Sequence, residues 1–447
     1  MGVDSMSKRP QKIRSYRDFF VAVVVVFVVG PVVAATTPTR AFDAVAPALL
    51  SLRTHAPGND KALSQGSAFL VDAEGRAVTA FHVVKDNVEQ PAQRLLRYRT
   101  MDGEEGTASV LAVDLIHDVA IVATDLKGRS HLRLPEGEVR LPRPGDTLYA
   151  FGDPLGLGMY MTSGSYGGPS AGSGRGRLRY GGALNPGMSG GPTVSANGAL
   201  VGVNVSKILF SEAIGFLSGA EAVTRLYRQA LEAPAALSPT DLRSVVDTQV
   251  KAHLEAFTAQ ISQAWKPLQI GDYRFQVPSS DDWICSARAK DIKPDSRHDR
   301  SGVACRFVAG TAELDGRVLT RVVINATYLA ALRLNPMHLA SMVRSEVHQS
   351  SGWYNAREVA GQLCEDRTLK AKQSSIPLRL VWCAAPMRDT SDRYKFTLTA
   401  VTQDDDRKTL IVAVDAEGVS WLHGMTMTER LIQGIDKAEK DAVARSH

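Results

Sequence analysis

The sequence predicts an all-β barrel or sandwich followed by a smaller α+β region. Three observations carry this. Residues 43 to about 230 read as short apolar or alternating runs separated by Gly, Pro and Asp, among them SAFLVDAEGRAVTAFHVV, ASVLAVDLIHDVAIVAT, DTLYAFGDPLGLG and GALVGVNVSK. The segment PAALSPT then interrupts the chain. Beyond it, strand-like runs mix with helical ones, and all four cysteines of the protein lie there.

The first element is a targeting segment. A basic head precedes FFVAVVVVFVVGPVVAA, Phe19 to Ala35, which holds no charge. Val33 and Ala35 give a small-x-small pattern suited to cleavage after Ala35. Residues 1–35 therefore read as a signal peptide or a retained N-terminal membrane anchor. Either way the bulk of the chain is expected outside the cytoplasm, in the periplasm or cell envelope. Membrane contact is expected through that anchor alone. The formal charge is +5, and the first 35 residues carry a net +3 of it. The +2 left for the rest argues against a nucleic-acid partner. With 44% hydrophobic and 22% charged residues, the chain can bury real cores.

Within 43–232, Glu74-Gly75 and Asn197-Gly198 suit hairpin turns. SGSYGGPSAGSGRGRLRYGG, Ser163 to Gly182, reads as a mobile Gly/Ser-rich loop. Inside it Arg175, Arg177 and Arg179 alternate and would share one face of a strand, either as an ordinary solvated hairpin or as a partner-binding stripe. GAEAVTRLYRQALEA closes the region as an amphipathic helix.

Residues 233–265 read as a linker and a helix. Ser238 caps it, Pro239 takes its first position and Asp241 its first turn. Leu242, Val246, Val250, Leu254, Phe257 and Ile261 form one apolar stripe, which packs on a neighbouring domain or forms a short dimer seam. Residues 266–447 read as an α+β domain, with strands such as YRFQVP, VACRFVAG and TLIVAVDA and a helix over PMHLASMVRSEVHQ. Cys285, Cys305, Cys364 and Cys383 fit no zinc spacing. In an oxidising compartment they are expected to form two disulfides. Three pairings exist; the short loops Cys285–Cys305 and Cys364–Cys383 are favoured, with free buried thiols as the alternative. The loosely similar surroundings of the two pairs raise an internal duplication.

The chemistry is expected from three local signals. TAFHVV places His82 at the end of an apolar strand, HDVAIV places Asp118 at the head of another, and GMSGGP places Ser189 in a glycine-lined turn. A serine needs a base to take its proton, and histidine serves near neutral pH. The histidine needs an acceptor on its other ring nitrogen, and a buried aspartate supplies one. Glycines around Ser189 let the amides of Gly187 and Ser189 converge on one developing oxyanion. No P-loop, H-E-x-x-H or dinucleotide fingerprint is present, the acids Asp404 to Asp406 read as a solvated turn, and no cofactor or metal is expected.

GSAFLVDAEGRAVTAFHVV, HDVAIV, FGDPLGLG, NPGMSGGPTVSANGALVGVNV and IGFLSGAEAVTRLYRQAL together resemble successive landmarks of the HtrA/Deg group of trypsin-like serine proteases. The resemblance covers residues 60 to 230, about 40% of the chain. It implies a chymotrypsin-type all-β double barrel over 43–232. It also implies His82 as base, Asp118 as orienting acid, Ser189 as nucleophile and the Gly187 and Ser189 amides as oxyanion hole. His117 is then a neighbour facing the other way. The resemblance further puts Ala183, six before the nucleophile, with Leu184 at the base of the specificity pocket. An apolar floor there favours a small or medium aliphatic residue before the cut. Ile214, Gly215 and Phe216 match the strand that pairs with substrate backbone. The sequence departs from the group at Met188, where Asn is usual, at Phe81, which is bulky beside the base, and in having the disulfide-bearing region where a PDZ domain would follow. The expected function is an exported serine endopeptidase acting on unfolded or extended polypeptides. The alternative is a catalytically silent pseudoprotease that binds peptides or acts as a scaffold.

Overall fold

The computed structural model describes residues 38–59, 61–170, 176–207, 214–232, 238–262, 265–280, 283–288, 295–307, 313–314, 317–318, 320–350, 359–370, 376–388 and 392–438. The expected signal or anchor at 1–35 and Arg175 lie outside them. Among the described residues no helix is long and apolar enough to cross a membrane.

A short helix α1 (Pro38–Val45) leads into six strands: β1 (Leu49–His55), β2 (Ala62–Leu70), β3 (Arg76–Thr79), β4 (Leu95–Thr100), β5 (Glu105–Asp114) and β6 (Val119–Ala123). They close an antiparallel barrel in the order β1-β2-β3-β6-β5-β4. A second set follows: β7 (Thr147–Gly152), β8 (Tyr160–Pro169), β9 (Arg177–Gly181), β10 (Pro192–Ser195), β11 (Leu200–Lys207) and β12 (Gly215–Gly219). These close a second barrel in the order β10-β11-β12-β9-β8-β7. The strand pattern leaves a barrel or a sandwich open, and the pair is the chymotrypsin-type double barrel that the resemblance implies. Closure leaves neither sheet a bare edge along its full length. The expected turns are present, with Gly75 at φ 82° and Gly198 at φ 81°.

Two sequence expectations fail locally. The Gly/Ser-rich stretch is largely strand, since Ser163–Pro169 belong to β8 and pair with β7 and β9. Gly164 and Gly167 serve close packing there, while residues 171–175 of the stretch lie outside the described residues. A Cβ on Gly164 would lie 2.7 Å from the Tyr180 ring, and one on Gly167 2.9 Å from Arg179. Second, His82 lies not on a strand but in the first turn of helix α2 (Phe81–Glu89). Phe81, Val84 and Val88 recur at helical spacing and are buried, a period hidden inside what reads as one apolar run. Phe81 is spent in the first-barrel core and does not crowd the imidazole side of the helix.

Helix α3 (Ala220–Glu232) packs on β5, β6 and β11. Helix α4 (Pro239–Ser262) begins as its residues dictate, with the Ser238 hydroxyl accepting from the Asp241 N–H and donating to the Asp241 carboxylate. Its stripe is used within the chain. Leu242, Val246 and Val250 are buried in the core of the first barrel, each contributing roughly 1.5–3 kcal/mol. Phe257 belongs to the core of the C-terminal region, edge-on to Phe307 at 4.6 Å. Between them Gln249 accepts from the Leu115 N–H at 2.8 Å and donates to the Val113 carbonyl at 2.6 Å.

The C-terminal region holds β13 (Trp265–Ile270), β14 (Tyr273–Pro278), β15 (Trp283–Arg288), β16 (His298–Phe307), β17 (Glu313–Leu314), β18 (Arg317–Val318) and β19 (Arg321–Ala331). Helix α5 (Pro336–Ser350) precedes β20 (Leu363–Lys370), β21 (Pro377–Pro386), β22 (Tyr394–Thr402) and β23 (Lys408–Val419), and helix α6 (Trp421–Gln433) and β24 (Asp436–Lys437) follow. Seven strands form one antiparallel sheet, β15-β16-β19-β23-β22-β21-β20. Its faces bury separate cores, one under α6 and one under α5. The favoured disulfides are the ones formed. Each joins residues directly opposite each other in the outermost strand pair at one edge of this sheet.

Gln249→Ala strips partners from the Leu115 N–H and the Val113 carbonyl. It is expected to lower unfolding free energy by about 1–3 kcal/mol in urea denaturation, with the m-value unchanged.

Candidate active site

His82 and Asp118 belong to the first barrel, Ser189 to the second. The turn before β6 holds Asp118 at φ 56°, a left-handed conformation that aspartate tolerates better than most residues. Its carboxylate meets His82 at two points. Oδ1 accepts from the His82 backbone N–H at 2.9 Å, and Oδ2 lies 2.9 Å from Nδ1. The first bond fixes the start of α2 against the acid; the second leaves Nε2 as the free ring nitrogen. His117 lies in the same turn rather than on a strand, and pairs with Asp114 through Nδ1 at 2.7 Å.

The electrostatics follow from this pairing. Burial works against the charge of Asp118, but His82 and then Arg177 outweigh it and hold the carboxyl below its ordinary 3.8. Burial likewise disfavours the His82 imidazolium, but Asp118 overcomes it and raises His82 above 6.5 despite Arg177 and Lys85. The stabilisation from His82 is therefore complete below pH 6.5 and lost as pH rises through its higher folded value. That from Asp118 is complete above pH 3.8 and lost as pH falls through its lower folded value.

Ser189 is carried on a turn that docks against the first barrel. Its carbonyl accepts from the Ser67 N–H at 2.7 Å, and Ser67 Oγ donates to the Gly187 carbonyl at 2.7 Å. Gly190, at φ 86°, lies against β2 and β3; a Cβ there would sit 2.1 Å from the Ser67 carbonyl and 2.4 Å from Thr79 Oγ1. Only glycine permits that approach, and it brings the turn beside Ala80, two residues before His82. Gly187 is also left-handed, at φ 97°, and the Met188 N–H is taken by the Asn185 carbonyl at 3.0 Å. The amides of Gly187 and Ser189 donate to no backbone carbonyl among the described residues. Ser189 Oγ makes no hydrogen bond among them either, so His82 and Asp118 are joined to each other while the hydroxyl is unengaged.

Asn204, which the sequence reading overlooked, ties this turn to β11. It is buried, and its Nδ2 donates to the carbonyls of Phe151 and Met188 at 2.8 and 3.1 Å. Its Oδ1 accepts from Thr193 Oγ1 at 2.6 Å, and its backbone bonds Gly190 and Gly191. A lone amide in the apolar run GALVGVNV was the signal available. Met188, where the resemblance led one to expect Asn, is fully buried in the second-barrel core.

The expected specificity residues divide. Ala183 is exposed, and its carbonyl accepts from Thr162 Oγ1 at 3.0 Å. Leu184 is buried in the second-barrel core, against Gly215 and Tyr180. Ile214 is exposed just before β12. The expected substrate edge at Gly215 and Phe216 is corrected. Both residues are paired on two sides, to Lys207 and Ser206 of β11 and to Tyr180 and Arg179 of β9, so no further strand can add there. In β11, Val205 lies at a bulge and Ser206 and Lys207 pair with β12, while β10 reaches only Val203, so among the described residues the other edge of Val205–Lys207 is unpaired. A cavity of about 1020 Å³ lies elsewhere, between α5 and strands β21–β22, and none of its lining belongs to this site.

Residues 66–203 match the trypsin-like peptidase domain. The chain is similar to putative protease Do-like 14 of Arabidopsis thaliana, 31% identical over 176 residues covering 36% of this chain and 40% of that protein. It is also similar to a probable periplasmic serine endoprotease, DegP-like, of Brucella suis, 30% identical over 37% of this chain and 32% of that protein. The crystal structure of the serine endoprotease from Yersinia pestis matches over 44% of this chain and 67% of that one, at 24% identity and a TM-score of 0.38. The chain thus spans less than half the length of these two curated relatives. Residues 66–203 are thus similar to a trypsin-like peptidase domain, and the chain to Do-like and DegP-like proteases over that region.

Asn204→Ala removes the amide donor to the Phe151 and Met188 carbonyls and the acceptor of the Thr193 hydroxyl. It is expected to cost about 2–4 kcal/mol of stability by thermal or urea unfolding, well above a surface substitution.

Proposed function

We propose that this chain is an exported serine endopeptidase that cleaves extended or unfolded polypeptide through an acyl-enzyme. The observation that carries the reading is the two-point pairing of His82 with Asp118 beside a glycine turn whose Gly187 and Ser189 amides are uncommitted.

The chemistry follows from the geometry. Ser189 Oγ attacks the scissile carbonyl while its proton passes to Nε2 of His82. Asp118 accepts from Nδ1–H and stabilises the imidazolium. The carbonyl oxygen, now an oxyanion, takes hydrogen bonds from the Gly187 and Ser189 amides. Collapse breaks the C–N bond, and His82 returns the proton to the leaving amine. Water, deprotonated by His82, then cleaves the ester and restores Ser189.

The open edge of β11 at Val205–Lys207 suits an extended backbone, which supports unfolded chains as substrates. Ala183 places no charge at the base of the expected pocket, which supports cleavage after small or medium aliphatic residues. Residues 1–35 and the likeness to a protein named periplasmic support export. We assign residues 43–232 to the protease domain, 233–265 to the connecting helix and 266–447 to a separate α+β domain.

A fluorophosphonate probe should label the purified full chain and leave Ser189→Ala unlabelled. A folded wild type that takes no label, with or without added unfolded protein, would instead fit the peptide-binding pseudoprotease. In a peptide library, Ala183→Asp should bring cleavage after Lys and Arg by at least about tenfold, since a carboxylate at the base of the expected pocket pairs a cationic side chain. An unchanged profile would remove Ala183 from the pocket.

A further inference from the structure

Arg177 was expected on a solvated face, yet it is one of the least exposed charges in the protein, with 11% of its side chain accessible. It stands on β9 opposite Ser218 of β12, whose hydroxyl donates to the His117 carbonyl at 2.5 Å. This end of the second barrel therefore abuts the turn that carries Asp118. From there Arg177 Nη2 reaches within 4.0 Å of Asp118 Oδ2, the same oxygen that faces His82 Nδ1.

As a structural ion pair this is poor. The contact is single and long, and Nη1 is buried with no hydrogen-bond partner. A guanidinium taken out of water at such cost is not repaid by one contact at 4.0 Å, and an apolar side chain of similar size would serve stability as well or better. Its charge, however, is aimed at the acid–base pair.

We propose that Arg177 is a positioning residue of the His82–Asp118 pair, a buried cation from the second barrel that holds Asp118 ionised and keeps the imidazolium from becoming too stable. The inference rests on the reading of that pair as catalytic. Among the described residues, these charges act most on each group. His82 faces Asp118, Arg177 and Lys85 of its own helix. Asp118 faces His82 and Arg177. Arg177 faces Asp118 and Asp114, and Asp114 is itself engaged by His117 and by Arg225 of α3. Arg177 thus adds to the effect of burial on His82 and opposes the attraction of Asp118, which outweighs that burial. A lower imidazole basicity leaves more neutral base at a given acidic pH, so the cation extends activity towards acid.

The test is the titration of His82 in the full-length protein, followed by its imidazole NMR resonances, together with the acid limb of kcat/KM. Arg177→Met and Arg177→Gln should both raise the midpoint by about one pH unit, with about tenfold less activity below the limb, while Arg177→Lys stays near wild type. Neither neutral variant should lose stability, whereas a merely structural arginine would lower stability and leave the midpoint in place. An unmoved His82 midpoint in whichever neutral variant folds overturns the proposal. The resonance needs no turnover, so an inactive wild type whose midpoint still moves would sink the protease reading and keep the Arg177–His82 coupling.

Discussion

The arrangement depends on one close approach. The turn at Gly187–Gly191 lies so tightly on β2 and β3 that a single methyl group at Gly190 would overlap the Ser67 carbonyl. The nucleophile candidate and its base belong to different barrels, and no covalent feature sets their distance. What sets it is the absence of a side chain at one residue, backed by the Ser67–Ser189 backbone bond and the Ser67–Gly187 side-chain bond. Asn204 holds the turn from the other side, while the Gly187 and Ser189 amides donate to no backbone carbonyl among the described residues.

The acid side of the site is braced from further away. Asp118 follows a segment whose backbone is gripped by Gln249 of α4. The same helix inserts Phe257 into the C-terminal core. The connecting helix therefore joins the second core physically to the strand end that precedes the acid. The C-terminal sheet, pinned at both edges by disulfides, gives that helix a firm far end.

Much of this was legible in the sequence. The order of His82, Asp118 and Ser189 with their flanking residues, the strand-rich character of 43–232, the stripe on α4 and the pairing of the cysteines all rest on local patterns. What escaped was set by tertiary contact. TAFHVV has an apolar run that suits a strand, and only the barrel core beneath Phe81, Val84 and Val88 makes it helical. Glycines near Tyr180 read as flexibility because the ring they accommodate arrives from another strand. Pairing of Gly215 and Phe216 on both sides depends on barrel closure, which no periodicity reports. The burial of Arg177 is the same case: its alternation with Arg179 was visible, but not the second barrel face that covers it.

The most direct test of the account is a rapid-mixing experiment with an activated ester such as p-nitrophenyl acetate, followed by peptide mapping of the quenched protein. The account predicts a burst of p-nitrophenol close to one equivalent per chain and an acetyl group on Ser189. A folded protein that gives no burst, or carries the acetyl group on another residue, would contradict it.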